Sequence, residues 1–122
     1  MFKSGFVTII VDDLKKAEQF YVETLGLREQ FQVEGHLVQV EAPGLIIQLL
    51  HPREGQDSQH VKSGSVHIGL EVQELEPAIK LLQSRGVEFK PIMEEEATRL
   101  VYFSDPEGNS LYLIELKPEP KM

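Results

Sequence analysis

The stretch SVHIGLEVQEL, residues 65–75, has the pattern of a β-strand that runs directly into a helix. Its apolar residues occur at every second position and therefore share one face of the strand: Val66, Ile68, Leu70 and Val72. His67 lies on the other, less apolar face. It is the one histidine whose position makes it a candidate for chemistry.

The same pattern occurs near the N-terminus, which indicates an internal duplication. FVTIIVDDL, which begins at Phe6, aligns with HIGLEVQEL, which begins at His67, at a constant offset of 67 − 6 = 61 residues. The APG turn over 42–44 aligns with the DPEG turn over 105–108 at a second offset, 108 − 44 = 64. This offset places Gln48 opposite Tyr112. The duplication thus relates Phe6 to His67 and Gln48 to Tyr112.

Each copy is predicted to form a βαβββ unit. In the first copy, a strand leads into a helix that Asp12 or Asp13 caps and Gly26 ends, and three strands follow. The second copy repeats this order, with a helix over 75–84. The predicted later strands are Glu29–Val33, His36–Glu41, Leu45–Leu50, Val87–Ile92, Thr98–Phe103 and Ser110–Leu116.

The predicted fold is α+β, with two tandem βαβββ modules in a single domain over residues 1–122. Module one covers about 4–50, a polar linker covers 51–64 and module two covers about 65–116. A chain of 122 residues is long enough to bury one proper core. If the modules curl their strands together, they form a curved, mostly antiparallel sheet around a central cavity, with the helices on its outer face.

Charge and composition exclude several classes of partner. A formal charge of −8 opposes binding to nucleic acid and to anionic lipid, because both depend on clustered Lys and Arg. The absence of cysteine excludes disulfides, thiolate metal sites and a cysteine nucleophile. The sequence has no signal-peptide pattern and no apolar segment of membrane-spanning length, so we expect a cytoplasmic protein without a membrane partner.

A candidate ligand site follows from the duplication, because the four related residues lie opposite the regular apolar set on their strands. Phe6 and Tyr112 would supply aromatic faces, and Gln48 and His67 would supply hydrogen bonds. Three isoleucines would complete the apolar wall: Ile10, Ile46 and Ile114. The remaining histidines have no partner pattern and are expected at the surface: His36, His51 and His60.

Several motifs of the chain, taken together and in order, resemble the vicinal oxygen chelate superfamily, which includes glyoxalases, bleomycin-resistance proteins and extradiol dioxygenases. These motifs are VDDLKKAEQFYVETLGL, SVHIGLEV and YFSDPEGNSLYLIEL. The resemblance implies a divalent metal held by one ligand on the first strand and one on the fourth strand of each module. It also implies a homodimer whose sites combine the first module of one chain with the second module of its partner.

The residues at the four matching positions depart from this metal-binding pattern. Phe6 has no donor atom, Gln48 offers a neutral amide oxygen, and the phenol of Tyr112 is a poor ligand for a hard cation. His67 is the one good ligand that remains, and Glu115 faces the opposite side of its strand from Tyr112. We therefore expect no metal and no other cofactor.

Three functions are compatible with these observations. The first is a metal-independent protein, resembling the bleomycin-resistance branch, that sequesters an aromatic or planar ligand. The second is an enzyme resembling the glyoxalase, epimerase or dioxygenase branches, with a divergent metal site or acid/base chemistry by His67. The third is an interaction module whose cavity is filled by Phe6 and Tyr112. The missing ligand set favours the first function over enzymatic activity.

Overall fold

The computed structural model describes residues 1, 3, 5–52, 67–95 and 97–117. The chain divides into two compact units, Met1–Ser63 and Gly64–Met122. Most of the predicted linker, together with Ser65, Val66 and His60, lies outside the described residues. Each unit contains one four-stranded mixed sheet and helical segments between its first two strands, in agreement with the predicted α+β fold of tandem modules.

The first unit contains four strands in the order β1-β4-β3-β2. β1 runs parallel to β4, and the other neighbours are antiparallel. The helix α1 packs against β3 and β4. The elements are β1 Val7–Ile10, α1 Leu14–Glu18, a π-helical segment Gln19–Thr24, β2 Arg28–Val33, β3 Leu37–Ala42 and β4 Leu45–Leu50.

The first helix is shorter than predicted and continues with a different winding. Asp13 caps it as expected, because its carboxylate accepts a hydrogen bond of 3.1 Å from the Lys16 backbone N–H. The following segment is π-helical, with the Leu25 N–H donating to the Phe20 carbonyl five residues back at 2.9 Å. Gly26 adopts a φ of 80° and ends the helical region, as predicted.

The second unit repeats this arrangement, with the strand order β5-β8-β7-β6. β5 runs parallel to β8, and the other pairs are antiparallel. The helix α2 packs against β8 and has the predicted bounds. The elements are β5 His67–Glu71, α2 Leu75–Ser84, β6 Met93–Glu94, β7 Thr98–Ser104 and β8 Ser110–Leu116.

The predicted strand over 87–92 is wrong, because the strand in this part of the chain is only Met93–Glu94. The segment does run beside β7, where the Lys90 N–H donates to the Tyr102 carbonyl at 3.0 Å. The ring of Phe89 also packs on that of Phe103, with centroids 5.2 Å apart. Pro91 has no N–H to donate, so the hydrogen-bond ladder is not continued through this position.

The two units use the same register, as the duplication predicts. Thr8 pairs with Gln48 across the parallel strands of the first unit, and Gly69 pairs with Tyr112 at the equivalent place in the second. In each sheet, buried residues alternate with more exposed ones. We call the side with the buried residues the helix face and the opposite side the open face.

The helix faces carry the hydrophobic core of each unit. In the first unit the core includes the fully buried Tyr21 and Ile47, and in the second it includes the fully buried Leu75 and Leu111. None of the helices in the described residues is both long and apolar enough to cross a membrane.

Candidate functional site

The open face of the second unit carries a cluster of three aromatic rings. The ring of Tyr102 lies edge-on to His67, with centroids 5.5 Å apart, and it also contacts Tyr112 at 5.3 Å. These distances are in the range at which aromatic pairs attract each other beyond the effect of burial alone. We call His67, Tyr102 and Tyr112 the aromatic surface.

Small residues in the neighbouring strands make room for this arrangement. The ring of Tyr112 lies across the backbone of Gly69, its register partner, so that a Cβ atom built on Gly69 would be only 2.3 Å from Tyr112 Cζ. His67 is paired with Ser110, whose short side chain lies between the strands of His67 and Tyr102. The position of both rings therefore depends on small neighbours.

Two aliphatic residues border the aromatic surface along its strands. Ile114 is two residues after Tyr112 in β8, and Leu100 is two residues before Tyr102 in β7, which places both on the open face. The two residues are register partners and are half-buried. The open face of the second unit is thus aromatic at its centre and aliphatic beside it.

The open face of the first unit has a polar row at the equivalent position. Thr8 Oγ1 donates to Gln48 Oε1 at 3.3 Å, and Gln48 Nε2 donates to Gln39 Oε1 at 2.8 Å. Gln39 Nε2 then donates to Gln30 Oε1 at 2.6 Å. Four side chains from four strands are therefore joined across the whole width of the sheet.

The polar row ends on an ion pair. Gln30 Nε2 donates to Glu41 Oε2 at 2.9 Å, and the other carboxylate oxygen of Glu41 accepts from Arg28. Gln30 reaches this place because β2 has an irregular register between Glu29 and Phe31, so Gln30 is an extra residue opposite β3. We call Thr8, Gln48, Gln39 and Gln30 the glutamine row.

Apolar side chains flank the glutamine row. Ile10 pairs with Leu50, and Leu50 pairs with Leu37, along one side of it. Ile46 lies on the other side, opposite Glu41. Phe6 directly precedes β1 and its side chain is exposed, at 56% of its maximum.

The predicted site residues therefore fall into two sets, one on each unit. Gln48, Ile10 and Ile46 lie on the open face of the first sheet, and Phe6 lies next to it. The second sheet holds the rest on its own open face: His67, Tyr112 and Ile114.

These residues do not fit a divalent metal. Phe6 has no ligand atom, and both polar atoms of the Gln48 amide already form hydrogen bonds within the glutamine row. Among the residues that the structure describes, no three His, Cys, Asp or Glu side chains group to hold a metal ion. Glu115 faces the other side of the sheet, where it accepts a hydrogen bond of 2.7 Å from the Leu75 N–H and so caps α2.

His36 and His51, which were expected at the surface because the sequence shows no partner pattern for them, have hydrogen-bond partners in the structure. Both are half-buried. His36 Nδ1 donates to the His51 carbonyl at 2.8 Å, and His51 Nδ1 donates to the Val11 carbonyl at 3.1 Å. These imidazoles join the ends of β1, β3 and β4, so they are structural residues.

The DPEG turn also has a structural role. Asp105 is buried, and its carboxylate accepts hydrogen bonds from the N–H groups of Glu107 and Asn109 at 2.9 and 2.8 Å. The side-chain amide of Asn109 donates to the second carboxylate oxygen of Asp105 at 2.9 Å. This motif therefore shapes the β7–β8 turn and is not part of the open face.

Five residues of the two open faces were not predicted from the sequence: Thr8, Gln30, Gln39, Gly69 and Tyr102. Thr8 and Gly69 could have been found, because each lies two residues after a predicted site position, Phe6 or His67, on the same face of its strand. Tyr102 and Gln39 require the register of the third strand, and Gln30 requires the bulge. Neither can be read from the period of the apolar residues.

Comparison with known proteins places this architecture in one family. A structure described as a member of the glyoxalase/bleomycin resistance protein/dioxygenase superfamily from Sphaerobacter thermophilus DSM 20745 is 33% identical, covers 94% of this chain and 98% of that one, and has a TM-score of 0.72. The antibiotic binding protein TnmS3 from Streptomyces sp. CB03234 is 26% identical, with coverage of 96% and 99% and a TM-score of 0.75.

Lactoylglutathione lyase from Agrobacterium tumefaciens shares the fold, with a TM-score of 0.74 at 21% identity and coverage of 93% and 94%. The family model described as Glyoxalase/Bleomycin resistance protein/Dioxygenase superfamily matches residues 3–113. Since this match includes both βαβββ units, the chain belongs to the glyoxalase/bleomycin resistance protein/dioxygenase superfamily.

Proposed function

We propose that this protein binds a planar or aromatic small molecule without a metal ion and releases it chemically unchanged. The observation that carries the proposal is the aromatic surface of the second unit, where the ring of Tyr112 lies over Gly69 and contacts Tyr102. Its rings are held on one side by the sheet. A flat ligand would find π-faces and aliphatic walls there, with hydroxyl and imidazole groups at the edges.

The accessibility of the surface supports this proposal. His67 is exposed, while Tyr102 and Tyr112 are half-buried. Half-buried aromatic side chains are already ordered by their neighbours, so a ligand that stacks on them costs little additional side-chain entropy. Tyr and His also combine an apolar body with a polar tip, which suits ligands that carry both rings and heteroatoms.

Similarity also supports binding over catalysis. Of the similar structures, the antibiotic binding protein from Streptomyces covers almost all of both chains at 26% identity. The lyase from Agrobacterium shares only the fold at 21% identity. The donor set at the family's metal positions, with no donor atom in Phe6 and only a neutral amide oxygen in Gln48, leaves the chain without the three protein ligands that a catalytic metal normally needs.

The experiment is a ligand screen on metal-free protein. Planar aromatic compounds are added to protein pretreated with a chelator, and thermal unfolding is followed together with tyrosine fluorescence. The chain contains three tyrosines and no tryptophan, and two of those tyrosines belong to the aromatic surface, so a bound ring changes most of the signal. A ligand at 100 times its Kd stabilises the protein by about 2.7 kcal/mol. Mass spectrometry of the recovered compound shows whether it has changed.

A pair of variants ties binding to the site. Tyr112→Leu is expected to lose most of the thermal shift, whereas Phe31→Leu, which shortens an exposed aromatic residue of β2, keeps it. Metal that the wild type but not His67→Ala retains after incubation with divalent ions and desalting, or a modified compound whose formation requires His67, would contradict the proposal and favour an enzyme. Equal binding by wild type and Tyr112→Leu would show that the aromatic surface is not the site.

A further inference from the structure

The glutamine row on the first unit has a direction. Each hydrogen bond in it is donated toward Glu41: from Thr8 to Gln48, then to Gln39, then to Gln30, and finally to the carboxylate. Arg28 pairs with the same carboxylate and keeps the end of the row neutral. All donors in the row point away from β1, so its two ends differ chemically.

At the β1 end of the row, Thr8 can accept a further hydrogen bond but cannot donate one. A threonine hydroxyl has one hydrogen and two lone pairs, and Thr8 uses its hydrogen on Gln48. Its oxygen can therefore only accept from a further group. No described residue donates to it, and Thr8 is exposed in β1, at the edge of the sheet.

The remainder of the row strengthens this acceptor. In a chain of hydrogen bonds each group polarises the next, and the effect is larger in a partly apolar setting than in water. Gln48 and Gln39 are half-buried, and the row is flanked by the apolar residues Ile10, Leu50, Leu37 and Ile46. Because each group donates its hydrogen toward the Glu41 carboxylate, polarisation along the row makes the oxygens at its other end, Gln48 Oε1 and Thr8 Oγ1, more negative and therefore better acceptors.

We infer that Thr8 and Gln48 form an acceptor site for an O–H or N–H donor of a small organic ligand, such as a phenolic hydroxyl group. Both acceptor atoms are oxygens without a free charge, so the site suits a ligand with an O–H or N–H donor and does not suit a carboxylate, which can only accept. This inference rests on the proposed function only in taking the ligand to be a small organic molecule.

The test compares β-naphthol with its methyl ether, which has the same rings but no donor. Both compounds are titrated into isotope-labelled protein, and NMR follows the side-chain amides of Gln48 and Gln39 together with the rings of Tyr102 and Tyr112. We expect β-naphthol to shift the Gln48 amide and to bind about two- to tenfold more tightly than the ether. The ether should leave that amide unchanged.

Variants then isolate the row. Gln39→Met breaks the row in its middle and should lower the preference for β-naphthol, and Thr8→Val, which removes the terminal acceptor, should lower it further, toward equal affinity for the two compounds. Gln32→Met is the matched control, because Gln32 lies in β2 but contacts Glu29 and is not part of the row. It should keep the full preference.

The outcomes separate the inference from the proposed function. If both compounds shift the tyrosine rings equally and no variant changes their ratio, the acceptor site is wrong while the binding function stands. Resonances of Tyr102 and Tyr112 that do not move with either compound contradict the proposed function for this ligand class. A shift of the Gln48 amide by β-naphthol alone would still support the acceptor site in that case.

Discussion

A methyl group at position 69 has no room, because the ring of Tyr112 lies across the backbone of Gly69. We therefore predict that Gly69→Ala displaces this ring from the aromatic surface. The atoms that the methyl group would meet belong to the far end of the half-buried Tyr112 side chain, so the ring can turn away and the loss of unfolding free energy should be no more than about 1 kcal/mol. The affinity for an aromatic ligand should fall by about tenfold, because one ring of the stacking surface is lost. Urea unfolding and fluorescence titration measure the two effects.

Gly5 provides the control for this experiment. A Cβ atom at Gly5 would meet nothing within 4 Å, and Gly5 lies just before β1 in the first unit. Gly5→Ala adds the same methyl group and should leave both stability and affinity unchanged. An affinity that survives in Gly69→Ala would mean that the ligand does not need Tyr112 over the sheet.

Asp105 holds the DPEG turn by accepting hydrogen bonds from two backbone N–H groups and from the side chain of Asn109. Because the carboxylate is buried, Asp105→Ala leaves these donors without their acceptor. We predict a loss of about 3 kcal/mol of unfolding free energy. Glu88→Ala, at an exposed position, should stay within about 0.5 kcal/mol of wild type. Denaturant unfolding of both variants checks this, and equal stability would contradict the role of Asp105.

The helix α2 depends on charged groups at its N-terminal end. The Glu115 carboxylate accepts from the Leu75 N–H, and Arg99 forms a two-pronged hydrogen-bonded pair with Glu76 in the first turn at 2.9 and 2.7 Å. Arg99 also contacts Glu94 of β6 at 2.5 Å. The hydrogen bonds to Glu76 and Glu94 raise the pKa of Arg99, and its guanidinium connects α2 with β6 and β7.

This pairing predicts a specific pH dependence. The hydrogen bond from Arg99 lowers the pKa of Glu76 from its ordinary value of 4.5. A carboxyl group with a lowered pKa in the folded state contributes stability that is present above about pH 4.5 and is lost as the pH falls through the folded pKa. In Glu76→Gln, the fall of unfolding free energy below pH 4.5 should be shallower than in wild type. Urea unfolding at a series of pH values measures the slopes.

The matched change Glu88→Gln tests whether the effect belongs to the Arg99 pair. Glu88 is exposed, and the described part of the chain offers it no hydrogen bond or ion pair. This variant should keep the wild-type slope. If Glu76→Gln and Glu88→Gln both keep it, the pair with Arg99 does not contribute to the pH dependence.

The strands that the sequence predicts best are those that begin shortly after a clear turn signal. Leu45–Leu50 and Ser110–Leu116 have the predicted bounds, because the APG and DPEG turns fix where each begins. Val87 and Phe89 lie at alternating positions, where Val87 is buried and Phe89 half-buried, but Pro91 interrupts the ladder. Alternation reports which face a side chain occupies, and it does not report whether the backbone is paired.

At the scale of the whole molecule, the duplication was sufficient to predict the tandem architecture. Thr8 pairs with Gln48 in the first unit, and Gly69 pairs with Tyr112 in the second. The offsets of 61 and 64 residues relate these two pairs, as the duplication predicts. The chemical character of the two open faces was not predictable in the same way. It depends on Gln39 and Tyr102, whose positions follow from pairing with the third strand of each unit.

Exposed apolar residues on the open faces bear on the state of association. Phe31 of β2 pairs with Gln39 and Leu116 of β8 pairs with Thr98, so both lie on open faces, with 47% and 55% of their surface exposed. Large apolar residues that lie near other apolar residues on one face are typical of surfaces that associate. Leu81 of α2 is equally exposed, at 51%, but lies on a helix.

We therefore predict that the protein is a homodimer in solution, as the family resemblance also implies. Light scattering is expected to give about twice the 13.9 kDa of one chain. Phe31→Lys and Leu116→Lys should move the protein toward the monomer, because a charge on an apolar contact must be desolvated when the surfaces associate. Leu81→Lys makes the same change at equal exposure and should leave the mass unchanged if association uses the open faces. A mass near that of one chain at every concentration would contradict the dimer, and a dimer that only Leu81→Lys disrupts would place the contact on the helices.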